Sequence, residues 1–309
     1  MKEVLDKRLV VITGKGGVGK TTVAAAMGLA AARAGKRTVI CEVAEQERIT
    51  QTFGRPAAGF TETEVAPRLH AFSINPENAK EEWLRRQLRS GTLTGLLGSS
   101  RVYQYLTAAA PGLTELVTIG KVWELAQLER RTPGASPYDL TIVDAPATGN
   151  GMALLRAPRT YAQIAKVGPI RRHAEAIDAY VSDPASTAVV AVALPEEMPV
   201  NETVDLERRL SEELGRELTH VLVNGLLPGR LSAADLKAIE SVNGSGSPAA
   251  REALSAALAG EARARAQRAQ VARLRRRTAA PVATLPFVMS PDLGVDDLGS
   301  LSKEIERKL

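Results

Sequence analysis

The 309-residue chain holds a single cysteine, Cys41, in the apolar run "RTVICEV". A lone thiol cannot close an internal disulfide, nor supply the multi-thiol sites that zinc, iron–sulfur clusters or trivalent arsenic use, so no zinc or arsenite site is expected. Its expected role is a small core residue. Aromatics are only 4% of the chain, so alanine must help the aliphatics fill a core drawn from the 44% of residues that are hydrophobic. The five methionines are scattered, which leaves no Met-rich groove for an apolar segment. No apolar run reaches the roughly 20 residues of a transmembrane helix, and the charged start "MKEVLDKR" argues against a secretory leader; a cytoplasmic protein is expected. A net charge of +5 is mild for this length and does not call for nucleic acid. The most basic stretch, "EARARAQRAQVARLRRR" (Glu261 to Arg277), has mostly alanine at its apolar positions and no interleaved aromatics, so it reads as a solvated or partner-facing helix.

What is present is a phosphate loop. "TGKGGVGKTT", Thr13 to Thr22, fits G-x-x-x-x-G-K-[ST] through Gly14, Gly19, Lys20 and Thr21. It follows the apolar run "RLVVIT" and opens into "TTVAAAMGLAAARAG", a helix-forming stretch closed by Gly35. Glycines let the backbone turn its N–H groups toward a phosphate, and the helix N-terminus adds partial positive charge. The backbone from Gly14 through Gly16, Gly17, Val18 and Gly19 to Lys20, Thr21 and Thr22 is therefore expected to cradle ATP. Lys20 would reach the terminal phosphates, and Thr21 would offer an oxygen to Mg²⁺. The motif needs no second lysine, yet Lys15 stands five residues ahead of Lys20.

Seven short apolar runs recur between helical stretches. They are Leu9 to Thr13, Thr38 to Val43, Leu69 to Ile74, and those ending at Asp144, Leu194, Asn224 and Phe287. Continuous apolar runs suit strands covered on both faces, so the fold class is α/β, a doubly wound and mostly parallel sheet. Ligands then belong at the carboxyl ends of the strands, where the loops after Thr13, Val43, Asp144, Asn224 and Pro286 can meet. Segments 76–131, 153–183 and 231–277 are too long for simple crossovers. They predict a helical subdomain formed by insertions into a single P-loop domain spanning 1–309, with "NGSGSPAA" (Asn243 to Ala250) as a flexible loop.

"KGGVGKTT" resembles the deviant Walker A motif of the dimeric P-loop ATPases that include partitioning and division-site proteins, nitrogenase iron protein, and the arsenite-pump and tail-anchored-protein-targeting ATPases. The resemblance implies that Lys15 reaches across a dimer interface to the partner's nucleotide. "IVDAPATGNGMALLRAPRTY" (Ile142 to Tyr161) looks like the switch II segment of the arsenite-pump and tail-anchor-targeting branch. By that likeness Asp144 holds Mg²⁺ through water and Thr148 and Gly149 form a γ-phosphate-sensing turn. Two details depart from the pattern, the place of Pro146 and Asn150 where the family has histidine. "APGLTELVTIGKVWELAQLE" (Ala110 to Glu129) is similar to the branch's turn into an acidic helix. Asn224 and the loop of Pro286, Phe287 and Val288 match the places that flank adenine.

One departure bears on catalysis. The branch carries in switch I an aspartate that orients the attacking water, and counting back from Phe53 puts Ala44 there. Glu42, Glu45 or Glu47 could supply the carboxylate, and Glu45 is nearest. The resemblance thus implies an ATP-driven switch working as a homodimer, or as a heterodimer with a paralogue. A protein client would sit on the helical layer, where Thr94 to Leu113 could line an apolar groove. The alternative is a subunit that binds ATP, hydrolyses it poorly and regulates an active paralogue.

Overall fold

The structure, a computed structural model, describes residues 2–43, 47–89, 112–132, 134–165, 167–242 and 246–308. In chain order the elements are α1 (Lys2–Leu5), β1 (Leu9–Thr13), α2 (Lys20–Arg33), β2 (Thr38–Glu42), α3 (Arg48–Thr52), β3 (Thr63–Ala66), β4 (Leu69–Ser73) and α4 (Pro76–Arg89). There follow α5 (Leu113–Leu125), β5 (Leu140–Asp144), α6 (Thr148–Ile164), α7 (Pro169–Ser182), β6 (Thr187–Ala193), α8 (Glu197–Leu214) and β7 (His220–Leu226). The chain closes with α9 (Ala233–Val242), α10 (Pro248–Arg277), β8 (Val282–Pro286) and α11 (Val295–Arg307).

Eight strands form one sheet in the order β3-β4-β2-β5-β1-β6-β7-β8. All neighbours are parallel except the β3–β4 edge pair. The seven apolar runs are its seven parallel strands. The eighth, β3, was not legible in sequence, because only Val65 of its four residues is buried and an edge strand needs no apolar pattern.

Alternation along the strands explains the two-sided burial. Leu9, Val11 and Val143 join one core with residues of α5, α6, α7, α8 and α10; Val10, Ile12 and Ile142 join a second with residues of α2 and α11. β1 lies at the sheet's centre, between β5 and β6. Successive strands depart from it in opposite directions, and the crevice at its carboxyl end is the expected ligand position.

The three long segments carry α4 and α5, α6 and α7, and α9 and α10. The expected flexible stretch from Asn243 to Ala250 is partly helix. Ser247 caps α10 by accepting from the Ala250 N–H, and Pro248 occupies the first helical position, where its missing N–H costs nothing. Residues 90–111, which hold most of the anticipated groove from Thr94 to Leu113, lie outside the described residues.

Candidate nucleotide-binding site

β1 ends at Thr13 and the chain turns sharply into α2. Gly14, Gly17 and Gly19 take φ of +144°, +81° and +87°. The left-handed Gly19 caps α2, so the helix opens with Lys20 and Thr21 in its first turn at the carboxyl edge of the sheet. Two cavities flank the loop, of about 430 and 830 Å³. Gly17, Gly19, Thr22 and Leu293 line both, which makes them adjoining parts of one groove.

The smaller cavity is lined by Lys20, Thr21, Asp144 and Arg48. Thr21 Oγ1 donates to Asp144 Oδ2 at 2.5 Å, which joins the phosphate loop to the end of β5. The other oxygen, Asp144 Oδ1, is buried and among the described residues accepts no hydrogen bond. A hydroxyl and a carboxylate side by side, with one buried oxygen unsatisfied, form a donor set that suits Mg²⁺, a hard cation. Burial raises the Asp144 carboxyl above its usual range, against the Thr21 hydrogen bond and the nearby Lys20 and Arg48 charges. Lys20 Nζ donates to the carbonyls of Gly14 (3.2 Å) and Lys15 (3.0 Å). Burial lowers its pKa, and the Asp144 charge opposes that shift. The ammonium thus rests on loop carbonyls at the wall of the cavity.

Lys15 is half-buried and donates to Glu202 Oε1 on α8 of the same chain. Glu45 and Ala44 lie outside the described residues. Glu42 and Glu47 are described, and both carboxylates are engaged by backbone. Glu42, 4% exposed, accepts from the N–H groups of Arg48 (2.9 Å) and Ile49 (3.2 Å). Burial pushes it up to about 7 in spite of those bonds, with Asp144 and Glu47 adding repulsion. Glu47 accepts from Gly59 N–H at 3.0 Å.

The turn anticipated at Thr148 and Gly149 is the first turn of α6 instead. Ala147 is extended, Gly151 N–H closes onto the Ala147 carbonyl, and Thr148 N–H donates to Gly14 O at 3.1 Å. Switch II and the phosphate loop are therefore joined by backbone as well as through Asp144.

The larger cavity brings together Asn224, Pro286, Phe287 and Val288, as anticipated. Asn224 lies within β7 rather than at its end, and its amide donates to Val18 O at 3.0 Å. It braces the loop as well as lining the cavity. Arg263 and Gln267 of α10 and Leu293 of the β8–α11 connection also line this cavity, and Arg48 the smaller one; none was anticipated. No local pattern marks them, because α10 reaches the cavity by lying over the sheet far from the motif in sequence.

Residues 7–173 match the family described as Anion-transporting ATPase, from the start of β1 into α7. The chain is 30% identical over 235 residues to the ATPase BagA of Mycobacterium tuberculosis, covering 74% of this chain and 68% of that one. It is 25% identical over 277 residues to the ATPase GET3C of Arabidopsis thaliana, covering 74% and 69% respectively.

Proposed function

The chain belongs to the anion-transporting ATPase family, and from that membership we propose that it is a Mg²⁺-dependent ATP hydrolase working as a dimeric switch, with a protein client or partner on its helical layer. The observation that carries the reading is the meeting of Lys20, Thr21 and Asp144 around one cavity at the carboxyl ends of β1 and β5. The loop amides and the first turn of α2 bind the phosphates, while Asn224 and the 286–288 loop hold the base. Lys20 exchanges its carbonyl partners for the terminal phosphates. Thr21 and Asp144 would hold Mg²⁺, which when bound would supply charge neutralisation at the phosphates. Lys15 leaves Glu202 and offers its charge to the nucleotide of a second subunit. The direct link from Thr148 to Gly14 supplies a route by which the phosphate state reaches α6, and through it the helical layer. Cys41 is buried and alone, so the family's anion-pump label does not carry over to these residues.

A second reading is favoured by one observation. Both described glutamates of switch I already serve backbone N–H groups, which leaves Glu45 to orient water. Without it the chain binds ATP but hydrolyses it poorly, as a regulatory partner of an active paralogue.

Steady-state ATP hydrolysis across a range of protein concentrations separates the two, with Lys20→Ala as the blank and Lys15→Ala alongside. The switch predicts specific activity that rises with concentration and is abolished by both substitutions. ATP binding without turnover at any concentration would sink the hydrolase reading and leave the regulatory one.

A further inference from the structure

Arg48 occupies the first position of α3, directly after Glu47. Its place is set from below. Glu42, at the end of β2 and opposite Asp144 in the β2–β5 register, grips the Arg48 and Ile49 N–H groups with both carboxylate oxygens. A buried carboxylate on the neighbouring strand thus ties the start of α3 to the same sheet edge that presents Asp144. Arg48 lines the smaller cavity with Lys20, Thr21 and Asp144. Its positive charge lies near enough to Asp144 to favour the ionised carboxylate.

The two lysines of the phosphate loop are engaged, Lys20 by two loop carbonyls and Lys15 by Glu202. Among the described residues the Arg48 guanidinium has no hydrogen-bond or ion-pair partner. Arg48 is solvent-exposed, so its guanidinium is free to turn toward an anion held beside Lys20 and Thr21. Its planar fork of N–H groups can serve two phosphate oxygens at once, which an ammonium cannot.

We propose that Arg48 donates to the terminal phosphoryl group of the bound nucleoside triphosphate, as an arginine supplied by the same chain. The inference rests on the nucleotide reading of this cavity. The contact exists only while the third phosphate is attached, so it distinguishes triphosphate from diphosphate. It also stabilises the charge spread over the phosphoryl oxygens as the bond to the leaving diphosphate breaks. Because Arg48 follows Glu47 directly, the same contact couples switch I to the phosphate state.

The test is calorimetric titration of the full chain with the β,γ-imido analogue of ATP and with ADP, each with Mg²⁺, for the unaltered protein, Arg48→Ala and Arg48→Lys. Loss of a hydrogen bond between charged groups predicts that Arg48→Ala weakens binding of the analogue by about tenfold or more. Binding of ADP should stay within about twofold, with Arg48→Lys between the two. Where the unaltered chain turns over, Arg48→Ala should also lower kcat by up to ~10³-fold, the scale of losing an arginine finger. Equal weakening of both nucleotides, or no change in either, overturns the proposal while leaving the nucleotide site intact. Failure of the unaltered chain to bind either nucleotide overturns the site reading itself. A melting temperature for Arg48→Ala that matches the unaltered protein shows that the change is local, and the ratio of analogue to ADP affinity reports on Arg48 even in a chain that does not hydrolyse ATP.

Discussion

At Gly14 an added Cβ would lie 2.2 Å from the carbonyl oxygen of Val192, backbone against backbone, at a φ that side chains rarely adopt. At Gly19 it would lie 2.3 Å from the Asn224 amide. Gly14→Ala should therefore cost more than the ~1–3 kcal/mol of backbone strain alone and abolish nucleotide binding, read by denaturant midpoint and by titration with ATP. For Asp144→Asn we expect the Thr21 hydrogen bond to persist and the Mg²⁺-dependent part of nucleotide affinity to fall by ~10–100-fold, the usual scale for residues that orient a metal's ligands. EDTA should bring the unaltered protein to the same affinity. His220, buried at the start of β7, is driven down by burial to about 4 from the usual 6.5. The folded chain refuses a proton at His220 that the unfolded chain accepts, so the histidine's own contribution is full above about pH 6.5 and is lost as pH drops toward 4, while Glu42, raised to about 7, contributes in the opposite sense over the same range. The gap between the urea midpoints of the unaltered protein and His220→Gln, measured at pH 7 and at pH 4.5, isolates the histidine: it should shift in favour of His220→Gln at the lower pH. At this scale the sequence was informative wherever a residue's chemistry is local. The glycines, Lys20 and Thr21 act within ten positions of one another. Arg48 escaped notice because its significance is the cavity it faces, which β5 and α2 complete.

Among the elements, α11 shows how packing decides position. Leu298, Leu301 and Ile305 form its buried stripe against α2. Arg33 of α2 donates to Ser302 Oγ at 2.7 Å and to Gly299 O at 3.2 Å. Leu298 and Leu301 also line the nucleotide groove, whereas Ile305 does not. Ile305→Ala should thus lower stability by about 2–5 kcal/mol, seen in the denaturant midpoint, with ATP affinity unchanged while the chain is folded. The strands were readable because parallel strands covered by helices are mostly apolar along their length, and seven short runs were rich enough in apolar residues to mark them, even where β7 carries His220 and Asn224. The start of α6 was not. A Pro/Thr/Gly-rich stretch suggests a turn, but the Gly151 N–H bond to Ala147 O closes it as the first turn of a helix, which the Thr148 N–H bond to Gly14 O ties to the phosphate loop.

At the scale of the whole molecule, the proposed dimer turns on where Lys15 is held. The ion pair between Lys15 and Glu202 holds the second lysine inside its own chain, with the two side chains 32% and 39% exposed. A partly solvated pair of this kind contributes about 0.2–1 kcal/mol. If Lys15 must leave it on assembly of a homodimer, two such pairs break per dimer, and Glu202→Gln should lower the concentration for half-maximal ATP-dependent dimer formation by ~2–30-fold, measured by sedimentation. A dimerisation midpoint that does not move would mean that Lys15 stays at home.

The sequence by itself determined the phosphate loop, the class of sheet and the family branch. Each rests on chemistry confined to a short stretch, namely glycine dihedrals, strand apolarity and a helix following a strand. Only the tertiary structure decided that Asp144 meets Thr21, that Glu42 is occupied by the first turn of α3, that Lys15 is held by α8, and that Arg48 and α10 border the groove. Those are encounters between segments tens to hundreds of residues apart. Their occurrence depends on strand order and helix placement, which no local pattern encodes.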